Sequence, residues 1–205
     1  MNVLVVAPHP DDEAIGCGGA ICLHVDRGDR VAAVFLTSGE LGLKRLPKEE
    51  AWQVRESEAH AAAEILGLSR LSFLRCPDWY LGDGIEAAVA LLQPILAKEA
   101  PDVIYLPHPG EWHPDHRASL PIVESAVRDA GIQRPAIWTY EVWTPVAEYD
   151  RVEDISPVIT RKLKAVRYYT SQLSGFRYDR AVRGLGQYRG ALAGRCHYAE
   201  VFQSC

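Results

Sequence analysis

The sequence predicts an α/β fold: a Rossmann-like, mostly parallel sheet with helices on both faces, in a single domain with a C-terminal extension. Three observations carry this. Short runs rich in Val, Ile, Leu and Ala recur along the chain with helix-period segments between them. Several runs are continuously apolar instead of alternating, as strands buried on both faces are. Gly and Pro fall at the joints, and strand–helix–strand repeated in this way calls for parallel neighbours joined by right-handed crossovers.

Asn2–Ala7 reads as the first strand, stopped by prolines at 8 and 10. Ala14–Arg27 follows as a helix closed by Gly28, and Val31–Leu36 as the second strand. Glu49–Leu66 is a helix whose following residue, Gly67, suits a left-handed cap. Leu71–Leu74, Val103–Leu106 and Ile137–Trp143 are the third, fourth and fifth strands, separated by the helices Gly84–Glu99 and Asp115–Ala130. After Trp143 the rhythm changes: Pro157–Tyr169 and Tyr178–Leu192 read as helices, and Tyr198–Phe202 as a short edge strand. No repeat, low-complexity tract or linker interrupts the chain, so 1–205 is read as one domain. The strand order expected of such a sheet is 3-2-1-4-5.

Composition narrows the function. With 48% hydrophobic and 24% charged residues the 205-residue chain is an ordinary globular protein, and a net charge of −5 argues against a nucleic-acid partner. Its most apolar stretch, Ala87–Ala97, is broken by Gln93 and Pro94 and is too short to span a bilayer, which needs about 20 residues. Met1–Ala7 has neither a basic flank nor a cleavage site, so no signal peptide is read there. Five cysteines without a Cys-x-x-Cys pair suit reduced thiols and a cytoplasmic location.

The chemistry sits where two strands end. The first runs into Pro8-His9-Pro10-Asp11-Asp12-Glu13, and the fourth into Pro107-His108-Pro109-Gly110-Glu111-Trp112-His113-Pro114-Asp115-His116. His9 and Asp12 are three apart, as are His113 and His116, and Pro114 suits the first position of a helix. In the expected strand order these two strands are neighbours, and the crevice at their C-terminal ends is the usual ligand site. Two histidines and a carboxylate with an open fourth position describe a catalytic zinc centre. A non-haem iron oxygenase uses the same donors, but no site for a redox partner is visible, so hydrolysis ranks first. Gly16-Cys17-Gly18-Gly19 lacks the third glycine of a dinucleotide fingerprint and reads as close packing of helix on sheet.

Pro8–Glu13 together with His113-Pro114-Asp115-His116 resembles the motif pair of the LmbE-like, or PIG-L-type, zinc-dependent N-deacetylases. These act on N-acetylglucosamine-containing molecules, including glycosyl-inositol lipids and the precursors of mycothiol and bacillithiol. Leu36-Thr37-Ser38-Gly39-Glu40, Arg55-Glu56-Ser57-Glu58-Ala59 and Pro77-Asp78 resemble further segments of that family, and Ser171-Gln172 and Tyr198–Phe202 resemble the tail of its bacillithiol-type branch. The resemblance implies that His9, Asp12 and His116 bind zinc, that Asp11 is the general base, and that His113 meets the oxyanion or protonates the leaving amine. It also implies that Arg55 and Asp78 contact a small amino-sugar substrate. Similar ligands take Fe2+, Co2+ or Ni2+ as well. Glu111-Trp112 departs from the family's usual residues.

The residues themselves support this chemistry. Zinc lowers the pKa of its water to about 7, and a carboxylate beside a ligand can take that water's proton. Asp115 is read as orienting His113 and favouring its protonated form. The competing class is a carbohydrate- or metal-binding module without turnover, which would need no base beside the metal. Arg55 and Glu58 could otherwise be an exposed ion pair on a helix, and Trp79 and Trp112 could stack on a sugar face. Between Arg161 and Arg195 the chain has nine Lys or Arg and one acid, Asp179. That asymmetry has three explanations: a solvated face, a surface between subunits of a homo-oligomer, or arginines reaching the crevice to hold an anionic aglycone such as malate.

Overall fold

The computed structural model describes residues 1–205. Seven strands form one sheet: β1 (Asn2–Ala7), β2 (Arg30–Thr37), β3 (Arg70–Cys76), β4 (Val103–Pro107), β5 (Ala136–Tyr140), β6 (Arg151–Asp154) and β7 (Ala199–Ser204). Their order is β3-β2-β1-β4-β5-β7-β6. The first five are parallel and reproduce the expected 3-2-1-4-5 order, while β7 runs antiparallel to both β5 and β6. The helices are α1 (Asp12–Asp26), α2 (Lys48–Leu66), α3 (Ile85–Glu99), α4 (Pro114–Ala130), α5 (Ile159–Val166), α6 (Thr170–Leu173) and α7 (Tyr178–Arg189).

Burial on both faces explains the continuous apolar runs. Val3, Val5 and Ala7 of β1 face a core shared with α1, α2 and α5, whereas Leu4 and Val6 face a second core shared with α3 and α4. Gly67 caps α2 at φ 86°, as its sequence position suggests.

Three expectations about the chain from the fifth strand onward change. Tyr198–Phe202 is not an edge strand: its residues enter β7, an inner strand, and the edge is β6, which carries no apolar run to announce it. The stretch read as Ile137–Trp143 leaves the sheet at Tyr140, because the backbone N–H groups of Val142, Trp143 and Thr144 are gathered instead by the buried Glu111 carboxylate. Tyr178–Leu192 stays α-helical only to Arg189.

Helix α1 is broken at Cys17, whose φ of −130° is not helical. The break is bridged by a buried ion pair. Lys162 Nζ donates to Ile15 O at 2.7 Å and to Glu200 Oε1 at 2.6 Å, while Glu200 accepts from Gly19 N and Ala20 N at 2.7 and 2.8 Å. The glycines around the break are packing glycines, as read. A Cβ on Gly16 would lie 2.0 Å from Tyr140 Cδ2, and one on Gly19 would lie 2.4 Å from Ile155 Cγ2. Gly16→Ala therefore forces the Tyr140 ring out of place, and urea unfolding should show a loss of about 1–3 kcal/mol, as overpacked cores do. An unchanged midpoint would mean that the ring moves freely.

Candidate metal centre and cleft

The two motif loops meet above the ends of β1 and β4, which are paired in the sheet. His113 is the N-cap of α4: its Nδ1 accepts from Asp115 N at 3.3 Å, with Pro114 opening the helix. That contact places the ring proton on Nε2. His116 lies on the first turn of the same helix and is fully buried.

Asp12 Oδ2 lies 3.2 Å from His9 Nδ1 and 3.3 Å from His116 Nε2. The rings of His9, His113 and His116 are neighbours, with centroids 4.7 to 5.4 Å apart. Asp12 Oδ1 and both ring nitrogens of His116 are buried without a hydrogen-bond partner. Such orphaned donors and acceptors are costly unless something else satisfies them. The Asp12 carboxylate between two imidazoles, with ring nitrogens of His9, His113 and His116 within 4.8 Å of one another, is a donor set that suits a divalent metal.

The surrounding charges agree. Burial alone would lower the pKa of His9, but hydrogen bonds to Asp115, Asp12 and Asp78 outweigh it and lift it well above the usual value. Burial would raise Asp12, yet His116 and His9 hold it well below the carboxylate range.

A second set of donors surrounds the other nitrogen of His9. Asp78 Oδ1 and Asp115 Oδ2 both lie 3.1 Å from Nε2. These oxygens belong to carboxylates already held by backbone N–H groups: Leu41 N donates to Asp78, and Trp79 N and Leu81 N donate to Asp115. They brace His9 from behind, as the partners of a ligating histidine do.

This corrects the expectation for Asp115. Its carboxylate does not hold His113; only its backbone N–H touches that ring, and the side chain is turned toward His9 and the 79–81 loop. Burial and the neighbouring His9 and His116 push the pKa of His113 down to about 4, against a smaller upward pull from Asp115. Asp78 does line the cleft, but both of its oxygens have protein partners.

Asp11 stands at φ 124°, a conformation that costs a non-glycine residue about 1–3 kcal/mol. Burial raises its pKa to about 7 against the pull of Arg55, whose Nη2 lies 3.5 Å from Asp11 Oδ2. Arg55 is buried, contacts Pro10 O, and keeps Nε and Nη1 without partners, so the exposed-pair reading of Arg55 and Glu58 fails. Glu58 instead accepts from Thr170 Oγ1, Ser171 N and Ser171 Oγ.

Two residues without an assigned role in the sequence organise the centre. Glu111, the apparent departure, accepts from three backbone N–H groups at 142–144 and stands 3.7 Å from His116 Nδ1. Glu13 accepts from Asp11 N at 3.1 Å.

The donors open onto a cleft of about 580 Å³, large enough for more than one sugar ring, lined by His9, Asp11, Asp12, Arg55 and His113 and rimmed by aromatics. Trp79 and Trp112 are 45% and 57% exposed, and Trp79 packs edge-on against His113 with centroids 4.6 Å apart. The cations on its wall are Lys44 and Arg55. None of the nine basic residues of 161–195 lines it: Lys162 and Arg189 are buried against Glu200 and Glu141, Arg161, Arg167 and Arg177 pair with Asp26 or Asp179, and Lys164, Arg180, Arg183 and Arg195 are exposed. What this segment brings to the cleft is Gln172, Phe176 and Tyr178.

The fold and centre define a class, doubly wound α/β proteins with paired acid and histidine loops at the switch point of the sheet. The chain belongs to the PIG-L family, described as GlcNAc-PI de-N-acetylase, whose profile matches residues 4–127. It is 32% identical to a diacetylchitobiose deacetylase of Thermococcus kodakarensis over 97% of this chain and 81% of that one. It is 30% identical to a probable N-acetyl-alpha-D-glucosaminyl L-malate deacetylase of Bacillus cereus over 87% of this chain and 86% of the relative. Among solved structures, a conserved protein of Thermus thermophilus superposes with a TM-score of 0.85 at 33% identity, covering 100% of this chain and 94% of the other. No helix of the chain is long and apolar enough to cross a membrane.

Proposed function

We propose that residues 1–205 act as one zinc-dependent deacetylase domain that hydrolyses the N-acetyl group of an N-acetylglucosamine-containing small molecule. The observation that carries this reading is Asp12 Oδ2 placed between His9 Nδ1 and His116 Nε2, with orphaned buried atoms beside it and Asp11 next in the chain. His9, Asp12 and His116 hold the metal; Fe2+, Co2+ and Ni2+ suit the same donors. A metal bound there supplies a water that ionises near neutral pH and a positive charge for the acyl oxygen.

The side chains do the rest. Asp11 takes the proton of the attacking water, and Arg55 keeps its carboxylate facing the cleft. His113 is neutral with its proton on Nε2, so it donates a hydrogen bond to the acyl oxygen as charge builds there. A neutral imidazole is poorly suited to protonating the amine, and the proton held by Asp11 is the one returned to the leaving nitrogen. Asp115 and Asp78 fix His9, and Glu111 places its carboxylate beside His116.

Trp79 and Trp112 offer flat apolar faces to the group beyond the reacting sugar, which favours a second pyranose over an anionic aglycone. N,N′-diacetylchitobiose, N-acetylglucosaminyl malate, N-acetylglucosaminyl inositol and free N-acetylglucosamine, assayed for released amine, test both levels. Turnover of the disaccharide, abolished by chelator and restored by Zn2+, is the expected result. No amine from any substrate in the metal-loaded protein would overturn the reaction. Higher kcat/KM for the malate glycoside, lost in Lys44→Gln, would overturn the aglycone reading alone.

A further inference from the structure

The Pro10–Asp11 peptide unit is gripped at both ends by buried side chains, Arg55 on one side and Glu13 on the other. Its carbonyl oxygen accepts from Arg55 Nη2, and its N–H donates to Glu13 Oε2 at 3.1 Å. This is the peptide that must be held for Asp11 to stay at φ 124°, where an L residue rarely sits. A flip of that one plane would let the backbone relax to negative φ and swing the carboxylate away from the cleft.

Glu13 is steered in turn. Its other oxygen, Oε1, accepts from the hydroxyl of Tyr169, a side chain 1% exposed that lies between α5 and α6. Tyr169 is anchored in its own right, because the next two residues, Thr170 and Ser171, donate three hydrogen bonds to Glu58 on α2. Arg55 stands one turn earlier on that helix. The links form a closed loop: Arg55 to Pro10 O, Asp11 N to Glu13, Glu13 to Tyr169, and Glu58 back to α2.

We propose that Tyr169, from the C-terminal extension, is a positioning residue for Asp11, acting through Glu13 on the Asp11 peptide. The extension then does more than lengthen the sheet; it locks the base. The inference rests on the role given to Asp11 above, and the tests separate the two.

Tyr169→Phe removes one hydroxyl and keeps the ring. It should lower kcat about 10-fold, the size expected for one lost hydrogen bond, with KM within about twofold and bound metal unchanged. In an Asp11→Asn background the same substitution should cost nothing, since a residue acting only through Asp11 has nothing left to position. Glu13→Ala, which removes the acceptor of Asp11 N altogether, should lower kcat at least as far as Tyr169→Phe does. A further readout needs neither metal nor turnover: amide hydrogen exchange at Asp11, followed by NMR in the metal-free protein, should be faster in Tyr169→Phe. If Tyr169→Phe destabilises the fold, Glu58→Ala loosens the same link from a half-buried position and should shift Asp11 exchange in the same direction.

Wild-type kcat together with wild-type Asp11 exchange in Tyr169→Phe would overturn the inference, as would equal losses with and without the Asp11 carboxylate. Full activity of Asp11→Asn alone would instead overturn the role of Asp11.

Discussion

His116→Ala is expected to purify with little or no bound metal and no measurable deacetylation, while keeping its far-UV circular dichroism. His116 Nε2 stands 3.3 Å from Asp12 Oδ2, and its truncation leaves a buried carboxylate beside a void. Loss of one partner from a buried charged set costs about 3–5 kcal/mol, and metal affinity falls by a further coordinate bond. Metal analysis of the purified protein decides the matter. A full complement in His116→Ala would show that the ion is held elsewhere, for example by His9, Asp78 and Asp115, whose ligand atoms lie within 4.8 Å of one another.

Asp11→Asn separates catalysis from metal binding. The variant keeps the shape of the side chain and both anchors of its peptide, so metal content should be unchanged and kcat should fall by roughly 10²–10⁴-fold, the loss typical of a general base. The same substitution has a stability signature. Burial raises Asp11 to about 7 and Glu13 to about 8, both above the ordinary carboxylate range. The folded protein therefore binds more protons than the unfolded chain between about pH 4 and 8, and the contribution of these groups, full below that window, is lost as pH rises through it. Metal-free Asp11→Asn should accordingly lose less Tm between pH 5 and pH 8 than metal-free wild type. Parallel pH profiles of Tm would mean that Asp11 is ionised throughout.

Much of the centre was legible because its parts are local. His-x-x-Asp and His-x-x-His are spacings, and the strand order that unites them follows from a general rule for parallel sheets. What stayed hidden depends on partners far along the chain. Glu111 looks like any loop acid until the N–H groups it gathers, 31 to 33 residues away, are seen around it. Asp115 has the right spacing to serve His113, but its position on the first turn of α4 sends its carboxylate to the 79–81 loop. Strand β6 reads Arg-Val-Glu-Asp, with no apolar pattern, because an edge strand beside an exposed face needs none. The basic segment misled because charge totals say nothing about where each side chain turns.

The break in α1 has a consequence for the order in which this protein is made. Gly19, Ala20 and the carbonyl of Ile15 find their partners in Glu200 and Lys162, and the contact from Ala20 to Glu200 spans 180 residues. The turn that follows Asp12 is synthesised some 180 residues before Glu200. During synthesis the first helix leaves the exit tunnel with its middle unanchored, and the turn beside it gains its full support only when β7 slots in next to β5. The middle of α1 is in this sense completed only once the chain has reached β7, and damage to that strand would be felt in the helix that follows β1.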